Sequence, residues 1–187
     1  LYKLRISMVA MQQGILDALA HTDFQLVLRP CNRSSPTFLQ EMRTFVERQK
    51  LFGVILPPSA SEDERLVALL KELECPCIRI ASVPLDKPGV MLVTNDRIGA
   101  SEAARHIADC GHRLIAHVSG PRTWRSSQER RSGFIEGLEE CGLTLPQAYS
   151  LEGSYTFDSG RECGRRLLAL DRRPTAVLDR KSTRLNS

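Results

Sequence analysis

Apolar residues in this chain occur either at helical intervals or in short unbroken runs. In residues 38–49, Leu39, Met42 and Val46 are three to four positions apart, which places them on one face of an amphipathic helix. The same spacing predicts further helices over residues 62–74, 97–110, 126–141 and 159–170. The unbroken runs predict strands over residues 51–56, 77–80, 90–93, 114–118, 149–151 and 175–178.

Polar residues mark where two of these helices begin. Ser126 and Glu129 have the spacing of a capping box, in which the serine oxygen accepts a backbone hydrogen bond and the glutamate reaches back. Ser61 is predicted to cap the helix over residues 62–74, and Gly142 is predicted to end the helix that starts at Ser126. The inward face of that later helix is predicted to consist of Phe134, Leu138 and Cys141.

Strands and helices alternate with short connections, which predicts an α/β fold with parallel strands covered on both faces. Ligands of such sheets bind beyond the carboxyl ends of the strands, where loops lead into helices. Three strand exits are therefore candidate site segments: residues 94–96, 119–131 and 153–160.

Two arginines lie in the second of these segments. Arg130 and Arg131 are each one turn before an apolar residue of the predicted helix, so their stems can pack inward while their guanidinium groups reach the crevice. A guanidinium there offers donors to hydroxyl groups or to a carboxylate. Helical angle alone does not choose between the two, and arginines at the edge of a solvated helix have the same pattern.

Composition excludes several classes of protein. Apolar residues make up 42% and charged residues 26%, as in ordinary globular domains. The longest apolar block, residues 51–56, is far shorter than the roughly 18 residues of a membrane helix, so no membrane partner is expected. The net charge is +4, of which the last nine residues contribute half, so no phosphate-binding surface is predicted within the chain.

Cofactors and enzymatic chemistry lack sequence support. The six cysteines are scattered, without a CxxC pair or a histidine at zinc spacing, and are expected to be reduced thiols. Phosphate-binding glycine loops and the GxSxG and HExxH motifs are absent, so neither a cofactor nor a catalytic centre is predicted. His117 is expected to be a partly buried, hydrogen-bonded residue. Trp124 and Tyr155, both in strand-exit loops, are typical of rings that stack on sugars or bases.

Several motifs together carry a family resemblance. They are VTNDRIGASEAARHIADCGHRLIAHVSGP, ERRSGFIEGLEECG, GSYTFDSG and RRPTAVL, preceded by GILDAL, FQLVLRPC and LFGVILPP. From about Gln13 to Leu178, their order and spacing resemble the effector-binding domain of the LacI/GalR family of bacterial transcription regulators. The resemblance implies a periplasmic-binding-protein-like fold, in which a ligand lies between two parallel-sheet subdomains.

The resemblance also implies where the two subdomains begin and end and which residues form the site. The N-terminal subdomain, itself partial, would span residues 1–93, and a second, incomplete subdomain would span residues 94–178. The effector-contacting arginine of the family corresponds to Arg130, and its cleft aromatic corresponds to Tyr155. Two further cleft positions correspond to Trp124 and Ser126. Some relatives have a polar or basic residue in place of Trp124, which favours an effector with an aromatic or glycoside ring.

Both ends depart from the family pattern. Residues 1–11 do not fit the first strand and ligand loop of the family, and residues 179–187 resemble a non-native tail derived from a vector or adapter. An incomplete set of strands predicts exposed strand edges and poor solubility.

The resulting hypothesis is the sugar- or glycoside-sensing domain of a cytoplasmic LacI-type regulator. The effector would close the two subdomains and shift a homodimer between states that bind or release operator DNA. DNA contact would require a helix-turn-helix domain that this chain does not contain. Two alternatives are a periplasmic sugar-binding protein of a transporter, which unpaired cysteines disfavour, and an α/β enzyme.

Overall fold

The computed structural model describes residues 5–58, 60–81 and 90–179, which form an α/β fold. All strand pairs in these residues are parallel, as the sequence predicts. A short 3-10 turn over Gln147–Tyr149 precedes the fifth strand. In chain order, the elements are α1 (Arg5–Leu19), α2 (Phe38–Gln49), β1 (Val54–Leu56), α3 (Glu64–Glu72), β2 (Cys77–Ala81), β3 (Val90–Val93), α4 (Asp96–Asp109), β4 (Ile115–Ser119), α5 (Arg125–Glu140), β5 (Ser150–Glu152), α6 (Phe157–Leu168) and β6 (Ala176–Asp179).

The strands form two separate three-stranded sheets. The first has the order β1-β2-β3 and the second has the order β5-β4-β6. The first sheet lies before residue 94 and the second lies after it, although the subdomain limits themselves stay a prediction. Strand β6 includes Asp179, and the rest of the predicted non-native tail lies outside the described residues.

The second sheet is covered on both faces. On one face, Ile115 of β4 packs in a core cluster with Phe134 and Leu138 of α5. On the other face, Ala116 packs with Leu167 of α6. Because neighbouring strand residues point to opposite faces, the consecutive apolar residues Ile115 and Ala116 of β4 contribute to both cores.

The first sheet is covered on only one face by the described residues. Helices α2 and α3 pack on that face through a core that includes Leu56, Leu66 and Leu70. The opposite face is exposed and consists mainly of Ile55, Ile78, Val90 and Leu92. The parallel register places Ile78 beside both Ile55 and Val90, so these side chains form one continuous surface. The prediction that both faces are covered is therefore wrong for this sheet.

Two N-terminal segments leave apolar side chains about half exposed. Helix α1 has a weak apolar stripe, and Val9 and Leu16 are about half exposed. Residues 24–32 contain no helix or strand, and Val27 and Leu28 are likewise half exposed. The FQLVLRPC motif therefore does not join the sheet.

Both predicted helix caps are wrong. Helix α5 begins one residue before Ser126, because the carbonyl of Trp124 already accepts hydrogen bonds from the backbone of Ser127 and Gln128. Ser126 thus lies inside the first turn. In α3 the cap is Asp63, whose carboxylate accepts from the Arg65 backbone. Ser61 instead is buried and donates to the carbonyl of Ile80, because the loop before α3 folds back onto β2.

Two further predictions, for the end of α5 and for the start of β1, are only partly correct. Gly142 ends α5 as predicted, with a left-handed φ of 69° that favours glycine. Cys141, however, is exposed, because it follows the last helical residue and lies beyond the core cluster. Only Val54–Leu56 of the apolar run over residues 51–56 pairs as a strand.

Candidate functional site

The three strand exits predicted as site segments meet at the start of α5. The exit after β3 contacts α5 through Asp96 and Arg130. The exit after β5 contacts it through Tyr155 and Ser127. The exit after β4 leads directly into α5 through Trp124. The carboxyl end of the second sheet therefore carries a cluster formed by all three segments, as expected for an α/β fold.

Arg130 forms an ion pair with Asp96, the first residue of α4. The Nε and Nη2 atoms of Arg130 donate to Oδ1 of Asp96 over 2.9 and 2.6 Å. This contact depends on the close approach of α4 and α5, where a side chain at Gly133 would overlap the backbone of Arg97. Helix packing thus brings the two charged residues together from distant parts of the sequence.

The structure also distinguishes between the two candidate arginines. Arg130 reaches the strand exits, whereas the charge of Arg131 acts on His117, a buried residue of the central strand β4. Helical angle alone could not make this distinction. Arg130 is therefore the arginine of the cluster.

Asp96 connects this ion pair to the first sheet. Its second carboxylate oxygen, Oδ2, accepts from Thr94 Oγ1 over 3.1 Å. The backbone of Thr94 in turn donates to the carbonyl of Ala81, the last residue of β2, over 2.9 Å. A hydrogen-bonded path thus runs from Arg130 to the segment that joins the two sheets.

Tyr155 is held in position by its backbone and by two neighbours. Its φ of 60° is unusual for a residue with a side chain. Its hydroxyl shares a hydrogen bond with the hydroxyl of Ser127, and its ring lies against Gly120, where any side chain would overlap it. The aromatic ring at this site is therefore packed rather than free to rotate.

Trp124 completes an aromatic pair with Tyr155. The ring centroids are 5.1 Å apart and the planes meet at 61°, an edge-to-face arrangement. Both residues are half-buried, so parts of both rings remain accessible.

Ser127, rather than Ser126, is the serine that contacts the aromatic pair. Ser126 is buried in the first turn of α5. Sequence reasoning missed Ser127, although Ser127 is three residues before Arg130, a spacing that places two helical residues on the same face. Asp96 was missed as a partner of Arg130 because a contact across 34 residues leaves no periodic signal.

Two arginines at the site each form an ion pair with a carboxylate. Arg122, next to the aromatic pair in sequence, is 3.2 Å from Glu152, and Arg130 is paired with Asp96. The Nη1 atom of Arg130 is buried and has no hydrogen-bond partner among the described residues. In the same parts of the chain, no group of three or more metal-ligating side chains is present. The arrangement offers aromatic surface, hydroxyls, a guanidinium group and a carboxylate.

The environment of His117 differs from the one that the sequence predicts. It is 3% exposed, and its Nδ1 atom has no hydrogen-bond partner in the described part of the chain, so the expectation of a satisfied residue is wrong. Its ring stacks on Phe134 with centroids 4.9 Å apart. Burial, together with the charge of Arg131, lowers the pKa of His117 to about 4.

Comparison with known proteins identifies the family. Residues 8–179 match the family described as periplasmic binding proteins and sugar binding domain of the LacI family. The chain belongs to this family, which confirms the resemblance to the LacI/GalR effector-binding domain and the periplasmic-binding-protein-like fold. In the described residues, no helix has both the length and the apolar character needed to cross a membrane.

Individual relatives support this assignment. The chain is 30% identical over 125 residues to the probable HTH-type transcriptional repressor ExuR of Bacillus subtilis, covering 67% of this chain and 38% of the repressor. A LacI family regulator from Bifidobacterium animalis subsp. lactis has a similar structure, with a TM-score of 0.79, 25% identity, and coverage of 94% of this chain and 63% of that one.

A second similar structure contains a sugar. It is the complex of the transcriptional regulator CelR with cellobiose, with a TM-score of 0.73 and 26% identity, covering 91% of this chain and 52% of that one. The chain spans half or less of the length of the first curated relatives that it matches, from 38% to 50%.

Proposed function

We propose that this chain is the sensing domain of a LacI-type transcription regulator and that it binds a sugar or a glycoside at the cluster around Arg130. The effector contacts Arg130, stacks on Tyr155 and Trp124, and changes the affinity of a homodimer for operator DNA. The protein is cytoplasmic and is not an enzyme. The similarity of the chain to transcriptional repressors and regulators supports this proposal.

The single observation that indicates which class of ligand binds is the aromatic pair beside an arginine. A sugar ring has apolar C–H faces and polar edges, so it requires both aromatic surface and hydrogen-bonding groups. Trp124 and Tyr155 provide the first, with ring centroids 5.1 Å apart, and Arg130 provides the second. The complex of the similar regulator CelR with cellobiose agrees with this class of ligand.

The conformational part of the proposal rests on the hydrogen-bonded path through Asp96. A ligand that engages Arg130 also acts on Asp96, which is bonded to Thr94 in the segment between the sheets. An effector changes an equilibrium only if it binds one state better than the other. The path offers a physical route for that preference, because Thr94 is bonded to Ala81 of the first sheet.

Ligand binding can be tested with the fluorescence of Trp124, the only tryptophan of the chain. We expect a saturable change when the protein is titrated with neutral saccharides from a panel that includes cellobiose and ribose. Arg130→Ala should weaken this binding at least about tenfold, because it removes charged hydrogen bonds to the ligand. Arg131→Ala is the matched control, and it should change the affinity by less than about twofold because its charge acts on His117.

Two outcomes contradict the proposal. The first is a panel in which no saccharide changes the emission of Trp124. The second is an Arg130→Ala variant that binds the saccharide as well as the unchanged chain. Thermal melting of both variants separates a loss of binding from a loss of folding, because Arg130→Ala leaves the largely buried Asp96 without its partner.

The regulatory role is tested by the DNA that flanks the coding segment. We expect an upstream helix-turn-helix in the same reading frame. The alternative is a secreted sugar-binding protein of a transporter, which requires a signal peptide at that place. All six cysteines are free and three of them are exposed, which favours a reducing compartment.

A further inference from the structure

The pairing of Arg130 with Asp96 bears on the charge of the ligand, not only on its shape. Asp96 Oδ1 accepts from both Nε and Nη2 of Arg130, and the Asp96 side chain is only 11% exposed. Asp96 is also the first residue of α4, at the end of the segment that follows β3. The guanidinium and the carboxylate therefore form a pair without net charge at the point where the ligand would be recognised.

We infer that Asp96 is a specificity-determining residue, which makes this site select uncharged polyhydroxyl ligands and reject carboxylates and phosphates. This inference rests on the proposed function, because it assumes that the ligand engages Arg130. A hydroxyl group can accept from the guanidinium and donate to the carboxylate at the same time. A phosphate or carboxylate group can only accept, and it also meets the negative charge of Asp96.

The neighbouring charges do not reverse this preference. Arg122 is 3.2 Å from Glu152, and its side chain is 70% exposed, so solvent screens its charge. Arg97, next to Asp96, is paired with Glu136 and lies 3.8 Å from Glu129. Arg131 is only partly buried, and its charge acts on His117. The largely buried carboxylate beside the proposed ligand group is that of Asp96.

The preference can be tested with inorganic phosphate as the probe. Asp96→Asn keeps the size of the side chain and its acceptor oxygen but removes the negative charge. We expect this variant to bind phosphate at least about tenfold more tightly than the unchanged chain, measured by Trp124 fluorescence. Sodium chloride at equal ionic strength serves as the reference, because it screens exposed charges without offering a tetrahedral anion.

Glu152→Gln is the matched control. It removes one carboxylate from the second arginine pair, where Arg122 is exposed, and should leave phosphate affinity within about twofold of the unchanged chain. Equal phosphate affinity in the unchanged chain and in Asp96→Asn would overturn the inference. So would a gain in Glu152→Gln as large as that in Asp96→Asn, since it would show a general effect of net charge.

A second measurement does not depend on the variant being folded. The unchanged chain should show no saturable response to phosphate up to about 10 mM, ten times a dissociation constant of about 1 mM. A saturable response in that range overturns the inference by itself. The saccharide titration is read separately: its failure contradicts the proposed function, whereas the phosphate comparison decides the role of Asp96.

Discussion

The hydroxyl groups of Ser127 and Tyr155 share a hydrogen bond between the first turn of α5 and the loop after β5. This bond joins two strand exits that are 28 residues apart in the sequence. It holds the phenol ring against Gly120 and beside Trp124, so the aromatic surface of the site has one defined orientation.

Replacing Ser127 with alanine should therefore weaken saccharide binding without unfolding the protein. The hydrogen bond between Tyr155 and Ser127 would be lost, at a cost of about 1 kcal/mol, and the ring would be held less firmly. We expect roughly a fivefold loss of affinity in the Trp124 fluorescence titration. Ser126→Ala is the control at the adjacent position, and an equal loss of affinity in both variants would contradict the specific role of Ser127.

The packing of α5 against α4 should be sensitive to substitution of Gly133. A Cβ atom there would overlap the carbonyl oxygen of Arg97, which is backbone and cannot move aside easily. We expect Gly133→Ala to lower the free energy of unfolding by about 1 to 3 kcal/mol and to weaken saccharide binding through the displaced Asp96. Chemical denaturation followed by circular dichroism measures the first effect.

Gly99 of α4 provides the comparison for this variant. It is exposed, and a Cβ atom there would meet nothing within 4 Å. Because alanine favours helix over glycine, Gly99→Ala should raise the free energy of unfolding by up to about 1 kcal/mol. Opposite signs for the two substitutions are the expected result, and a stabilising Gly133→Ala would contradict the close contact.

The buried His117 should make stability depend on pH. Burial lowers its pKa from 6.5 to about 4, so between these values the unfolded chain binds a proton that the folded chain does not. The contribution is fully present above pH 6.5 and is lost as the pH falls to about 4, with a total change on the order of 3 kcal/mol. Denaturation across this pH range measures the slope.

His117→Leu removes the titrating group and places an apolar side chain against Phe134. The slope of stability against pH in the same window should decrease in this variant. If both proteins lose stability equally between pH 6.5 and 4, another group is responsible.

The exposed face of the first sheet should make the chain self-associate. Val90 is 66% exposed and Leu92 is 58% exposed, beside Ile55 and Ile78 on the same surface. Contiguous apolar surface of this kind and open strand edges favour aggregation. We expect the chain to form larger species in size-exclusion chromatography as its concentration is raised, and a sample that stays monomeric over that range would contradict this prediction.

Substitution of Val90 and Leu92 by threonine should raise the monomer fraction, because it interrupts the apolar surface while the β-branched threonine side chains favour the strand. Ile98→Thr is the control, since Ile98 is 57% exposed but belongs to α4, outside this surface. Ile98→Thr should leave the monomer fraction unchanged.

The sequence by itself determined the fold class and selected the segments of the candidate site. Helical spacing and apolar runs are local properties, and helix α2 and strand β3 match their predictions residue for residue. The rule that ligands bind beyond the carboxyl ends of parallel strands then selected the three exits that meet at α5. The family resemblance selected Arg130 and Tyr155 within them.

Only the tertiary structure decided which partners these residues have. The choice of Asp96 for Arg130 and of Ser127 for Tyr155 depends on how α4, α5 and the loop after β5 pack, and such contacts follow no sequence period. The failed capping predictions have the same origin, because Ser61 and Ser126 have the right residue type and spacing but are buried by neighbouring elements. Packing competes with local hydrogen bonding for each polar side chain, and the outcome depends on atoms that are distant in sequence.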